Sequence, residues 1–242
     1  MIDFKDKKQV LFFIIIVVIA LGLSIYIVRD QFFDDNASNT STNSIDMDIN
    51  TDDGDEKIDW SKYKDNDYEL SKSITITEDG VYNLTGTISD GLITINTKGN
   101  VKLILDNVSI KNANGPAIFV KSAEDVVIEL ADGSKNYLED GTSYAIDDNN
   151  AGTIYSKSDI TFQGNGSLEV VSNNDDAIVG KDDLKIVSGT YIITSADDGI
   201  RGKDSVYIKD GTFTINADGD GIKSTNDSNS KKGFIKIENG VI

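Results

Sequence analysis

The chain has 242 residues, 23 Lys and Arg against 41 Asp and Glu, a net charge of −18, and neither His nor Cys. Those absences exclude histidine acid–base chemistry, histidine-ligated zinc, thiol nucleophiles and disulfides, and the charge is unsuited to nucleic acid or anionic lipid, whose binding rests on Lys and Arg meeting phosphates. Divalent cations and ligands that are uncharged or cation-bridged are the partners such a chain suits, while one Pro, 21 Gly and 38% hydrophobic residues describe a folded chain with many turns.

Val10 to Val28 is an uncharged run of nineteen residues, enough at about 1.5 Å per residue to cross a hydrocarbon core of about 30 Å as a helix. Lys5, Lys7 and Lys8 precede it, so the positive-inside rule predicts a single-pass anchor over 1–29, with a cytoplasmic N-terminus and the rest outside the cell. A cleaved signal peptide, with small residues at Gly22 and Ser24, is the alternative and would leave the protein secreted. Residues 1–29 hold four basic and two acidic side chains, so 30–242 alone carries −20. Residues 30–57 are polar and acidic with little to bury, which reads as a disordered tether. Trp60, Tyr63 and Tyr68 then read as an N-terminal cap on the domain at 58–242.

Beyond residue 73 short β-branched runs alternate with Gly, Asp and Asn, and the pattern repeats. Asp176-Ala177-Ile178 returns as Asp198-Gly199-Ile200 and Asp220-Gly221-Ile222, 22 residues apart each time. Three apolar columns share that frame: Ile154, Ile178, Ile200 and Ile222; Ile160/Phe162, Leu184/Ile186 and Val206/Ile208; Leu168/Val170, Tyr191/Ile193 and Phe213/Ile215. Each period therefore holds three short alternating segments divided by three turns, the spacing of strands and not of helices. One column recurring once per period predicts a chain that coils, each strand stacked parallel on its equivalent about 4.8 Å away. The expected fold is an all-β parallel β-helix behind one N-terminal transmembrane helix. Earlier coils are expected at Ala117-Ile118 with Val126 and Ile128, and at Leu92-Ile93 with Val101 and Leu103, roughly seven in all, with 131–150 bulging as a loop. Ile235 to Ile242 matches Val206 to Phe213, so the chain stops inside a coil with an apolar edge, which reads as a truncated domain.

Turns between the third and first strands carry Asp175 and Asp176, Asp197 and Asp198, Asp218 and Asp220. Equivalent turn positions stack, so Asp176, Asp198 and Asp220 are expected to form a carboxylate ladder. Its repulsion is relieved by a hard cation with oxygen ligands, for which calcium is the natural candidate; alternatively, Asp is simply a common turn residue and fans into water. A second, weaker ladder joins Asp159, Asp183 and Ser205, beside Asp182 and Asp204. Arg201 follows the ladder on an outward face shared with Tyr155, Val179 and Lys223, which makes Arg201, Tyr155 and Lys223 candidate ligand contacts, with Tyr155 and Tyr207 as stacking surfaces for sugar. An Arg beside metal and carboxylates also suits the base of a polysaccharide β-elimination.

The run Ala151 to Phe162, then Asn174-Asp175-Asp176-Ala177-Ile178, Asp197-Asp198-Gly199-Ile200-Arg201-Gly202-Lys203-Asp204 and Asp218-Gly219-Asp220-Gly221-Ile222-Lys223-Ser224 resembles a bacterial carbohydrate-binding domain family. The resemblance covers about residues 70–242. It implies a calcium-containing, right-handed parallel β-helix on a fold shared with pectate lyases, and binding of plant cell-wall polysaccharide, cellulose and acidic pectic sugars, without cleavage. It also implies calcium at the Asp176, Asp198 and Asp220 turns. Ala177, where neighbouring coils have Gly, and the missing last coils depart from the pattern. The expected protein is thus a cell-surface, calcium-dependent polysaccharide binder with no catalytic residue. A calcium-dependent lyase and a structural solenoid that binds no sugar are the alternatives.

Overall fold

The computed structural model describes residues 58–144 and 152–242. The membrane segment and the tether expected before residue 58 lie outside the described residues, among which no helix is long and apolar enough to cross a membrane. A turn of 3-10 helix, Trp60–Lys62, is the first element of the described residues. Trp60 and Tyr63 pack with ring centres 5.0 Å apart, Lys102 Nζ sits 5.2 Å over the Trp60 ring, and Asn100 Nδ2 donates to Tyr63 Oη at 2.8 Å. Tyr68, expected in the same cap, sets its ring centre 6.0 Å from that of Tyr82 and is 44% exposed.

All regular strands run parallel to their neighbours. Strand β1 (Asp65–Leu70) pairs with β3 (Gly80–Ile88). Face one stacks seven strands: β2 (Ile74–Ile76), β4 (Ile93–Asn96), β6 (Ile118–Ser122), β9 (Gly152–Ser156), β12 (Asp176–Gly180), β15 (Ile200–Gly202) and β18 (Ile222–Ser224). Face two stacks the first halves of β3 and β5 (Val101–Asn112) with β7 (Asp125–Leu130), β10 (Asp159–Gly164), β13 (Asp183–Ile186), β16 (Ser205–Ile208) and β19 (Phe234–Ile237). Face three continues from the second halves of β3 and β5 through β8 (Lys135–Asp140), β11 (Ser167–Val171), β14 (Thr190–Ser195) and β17 (Thr212–Ala217). Because β3 and β5 run unbroken round one corner, faces two and three form a single curled sheet of twelve strands. The result is a β-helix-like solenoid of seven coils.

The apolar columns fill its interior as the repeat requires. Ile93, Ile118, Ile154, Ile178 and Ile200 are fully buried, and facing them stand Leu103, Ile128, Phe162, Ile186 and Ile208. Register pairs Ile154 with Ile178, Ile178 with Ile200, and Ile200 with Ile222. Each such side chain removed from water contributes about 1.5–3 kcal/mol. The turn into face three needs glycine: Gly189, Gly211 and Gly240 have φ of 119°, 143° and 119°, and a Cβ on Gly211 would lie 2.9 Å from the Phe213 ring.

Residues 131–150 are not one long loop, since β8 supplies the third strand of that coil. Asn136 stands in the core column between Val108 and Leu168, buried, with Oδ1 accepting from Val108 N at 2.9 Å and Nδ2 donating to Ser167 O at 3.2 Å. A polar residue in an apolar column breaks the alternation that identifies the other strands. At the far end, Ile235 and Ile237 pair with Val206 and Ile208 as their sequence match implies, and they are 43% and 46% exposed.

Candidate functional site

The corner where face three turns into face one gathers the predicted aspartates, because each coil places the same turn there. Asp176 Oδ1 accepts from Asp198 N at 2.9 Å, and Asp198 Oδ1 accepts from Asp220 N at 2.9 Å, so each carboxylate caps the amide one coil on. This is the expected ladder, with Asp176 and Asp198 buried and Asp220 exposed. Beneath it runs a column of serines. Ser172 Oγ donates to Asp175 O at 2.9 Å, while Ser195 Oγ serves Asp175 O at 3.0 Å and Asp198 O at 2.8 Å.

Cations on the outer surface of face one meet the ladder. Arg201 forks onto Asp176 through Nε and a terminal nitrogen, with Nε 3.9 Å from Asp198 Oδ2. Lys223 Nζ lies 2.9 Å from Asp198 Oδ2 and 3.2 Å from Asp220 Oδ2. Register puts Tyr155, Val179, Arg201 and Lys223 in one outward column, as alternation predicts. Tyr155, however, offers no surface to a sugar. It is fully buried, stacked on Phe119 with ring centres 5.4 Å apart and packed with Val179 and Tyr144. Tyr207 is also buried, with Lys236 Nζ 5.2 Å over its ring. A period of two states which way a side chain points, and cannot state what covers it.

Oxygens of Asp175, Asp176 and Asp197 lie within 4.8 Å of one another, so three hard donors from adjacent coils converge. Burial and the neighbouring Asp176 push Asp175 up to about 6, against the pull of Arg201. Burial also raises Asp176, with Arg201 opposing. Asp218 and Asp220 are exposed and do not belong to this convergence. The donor set suits a hard divalent ion, and Asp175 and Asp197 are the members not already forked by a guanidinium.

The opposite corner carries the second ladder. Asp183 N donates to Asp159 Oδ1 at 3.1 Å, and Ser205 Oγ donates to Asp183 Oδ1 at 2.6 Å. Oxygens of Asp159, Asp182 and Asp183 also converge within 4.8 Å. Burial, then the hydrogen bond with Asp204, pushes Asp182 up to about 6. Asp204 falls to about 2, because Lys232 at 2.5 Å, Asp182 and Asn226 outweigh its own burial.

Two features escaped the sequence reading. Asp140 is buried and accepts from Tyr144 Oη, Thr153 Oγ1 and Ser172 Oγ at 2.9 Å each for the last two, and from Asn173 N at 2.6 Å, while burial raises its pKa. Beside it a cleft of about 590 Å³ is lined by Asp90, Lys111, Asn112, Glu139, Asp140 and Asn173, continuing the polar corner into earlier coils. Ser172 and Ser195 follow the register partners Val171 and Thr194, 23 residues apart where the Asp turns are 22 apart, so the repeat alone did not align them.

A family model described as carbohydrate-binding domain-containing protein matches residues 71–242. A carbohydrate-binding domain-containing protein of Acetivibrio thermocellus is 40% identical over 128 residues, 50% of this chain and 45% of that protein. The chain thus spans less than half the length of that relative. The solved structure of a polysaccharide lyase-like protein from C. thermocellum, a gadolinium derivative, is similar with a TM-score of 0.69 and 35% identity, over 73% of this chain and 79% of the other.

Proposed function

Since the chain belongs to the carbohydrate-binding domain-containing protein family, we propose that its solenoid binds extracellular polysaccharide without cleaving it, in a calcium-dependent manner and at the cell surface. Plant cell-wall glycans such as polygalacturonate or cellulose are the proposed ligands, and a right-handed coil the proposed hand. The observation that carries this reading is the convergence of Asp175, Asp176 and Asp197 at one corner of the face that also bears Arg201 and Lys223.

Asp175 and Asp197, with Asp176, would hold the ion, and Ser172 and Ser195 fix the Asp175 backbone that presents its carboxylate. Bound calcium supplies positive charge at an acidic surface, through which an acidic sugar's carboxylate is bridged. A net charge of −18 otherwise repels such a polymer. The guanidinium of Arg201 is taken up by Asp176 and Asp198 and is not presented to a sugar proton, which favours binding over β-elimination.

The test is binding of the purified chain to a panel of plant polysaccharides with calcium and with chelator, while watching for unsaturated product. Saturable binding that chelator abolishes, without product, is the expected result. Product formation would establish the lyase, and no binding to any glycan would leave a structural solenoid.

A further inference from the structure

Where face one turns into face two, Lys121, Lys157, Lys181 and Lys203 occupy one register position in four successive coils. The residues just before them pair as Val120 with Ser156, Ser156 with Gly180, and Gly180 with Gly202. Lys157 N donates to Val120 O at 3.0 Å, Lys181 N to Ser156 O at 2.8 Å, and Lys203 N to Gly180 O at 2.8 Å. Successive lysines in this file are therefore one coil apart, about 4.8 Å.

The file recurs in a chain whose net charge is −18, beside Asp159, Asp182 and Asp204, which follow its lysines within two residues. The ammonium groups also have a defined place. Lys157 Nζ stands 5.8 Å from the centre of the Phe119 ring and 5.6 Å from that of Tyr155, and Lys181 Nζ 5.8 Å from that of Tyr155. Both side chains thus lean back across the outer surface of face one. Lys121, Lys157 and Lys203 are exposed and Lys181 is half-buried.

We propose that this file of lysines is a track for an acidic polysaccharide, each ammonium of successive coils meeting a carboxylate of successive sugar residues. A linear polyuronate carries its carboxylates at a regular short repeat, and a solenoid presents cations at a regular repeat on a rigid frame, so little ordering is needed on binding. Ammonium–carboxylate contacts are charge-assisted hydrogen bonds that discriminate uronate from neutral glucan. A more densely charged polyanion such as nucleic acid suffers the repulsion of the remaining acidic surface. The inference rests on the polysaccharide-binding reading, and adds to the Asp corner a second surface that decides which polysaccharide is preferred.

The test is a quadruple variant, Lys121→Gln, Lys157→Gln, Lys181→Gln and Lys203→Gln, compared with the parent in calcium on polygalacturonate, its methyl ester and a neutral β-glucan across a sodium chloride series. Calcium isotherms and thermal melts accompany each. Polygalacturonate affinity is expected to fall about tenfold or more with a flatter salt slope, while calcium binding and any affinity for neutral glucan stay unchanged. The quadruple Lys→Arg variant should keep affinity. If the glutamine variant melts early, the pair Lys121→Gln and Lys203→Gln, which spares the lysines over the rings, gives the same reading. Undiminished polygalacturonate binding by the glutamine variants, or equal parental affinity for the methyl ester, overturns the inference alone. Equal competition by single-stranded DNA overturns the assignment to polysaccharide. A parent that binds no glycan at all overturns the underlying reading as well.

Discussion

Arg201 is the residue on which the ladder of buried aspartates depends. Its side chain is 11% exposed and that of Asp176 2%, so neither charge has water to fall back on. Removing one partner of a buried pair leaves the other uncompensated, at about 3–5 kcal/mol. Arg201→Met is expected to lose that much in denaturant unfolding. Arg201→Lys should lose part of it, since an ammonium cannot fork onto Asp176 while reaching Asp198. A Met variant as stable as the parent would show that the ladder does not need its cation. Lys223 is different in kind. It is 39% exposed, and although Asp198 and Asp220 raise its pKa, solvent screens the pair, so Lys223→Met should change stability little.

Among the elements, the strands of face one transmit this ladder from coil to coil, and their inner residues hold them. Ile200 is fully buried between Ile178 and Ile222. Ile200→Ala should therefore cost about 2–5 kcal/mol and lower the melting temperature without touching a polar group. Gly211→Ala is expected to destabilise by a separate route, through a φ of 143° and a Cβ 2.9 Å from the Phe213 ring. The core was legible because its columns are apolar as well as periodic: an apolar column that returns about every 22 residues, alternating with polar neighbours, is an inward one. The Asp ladder and its Arg were legible from the same repeat. Strand β8 was hidden by Asn136, a satisfied polar residue in an apolar column. The burial of Tyr155 and Tyr207 was hidden because an outward side chain is covered by neighbours on other coils, Phe119 and Lys236, that the repeat does not specify. The lysine file repeats at Lys157, Lys181 and Lys203 in plain sight, yet Lys121 joins it only once the register across the longer preceding coil is known.

Over the described residues, carboxylates converge at two corners, and their protonation sets how stability responds to pH and to calcium. Asp175 and Asp182 both titrate near 6 when folded, against 3.8 ordinarily. Between those values the folded chain keeps protons that the unfolded chain has released, so stability falls as pH rises from about 4 to about 6 and then levels. Asp204, held at about 2, acts in the opposite sense but only below 3.8, outside that window. In chelator the melting temperature is therefore expected to drop between pH 5 and pH 7. On the calcium reading the trend with the ion present is the reverse. Protons compete for the carboxylates that would bind it, so the rise in melting temperature produced by calcium should grow through pH 6. Ionic screening by itself also relieves a charge of −18. The control is thus sodium chloride at matched ionic strength, which should give a smaller rise with no inflection near pH 6. Thermal melts at pH 5 and pH 7 in chelator, calcium and matched salt separate the two effects. Equal rises in calcium and in salt at both pH values would leave the converging aspartates as solvated turns, and Asp175→Asn, which should abolish the inflection at the first corner, would then change nothing.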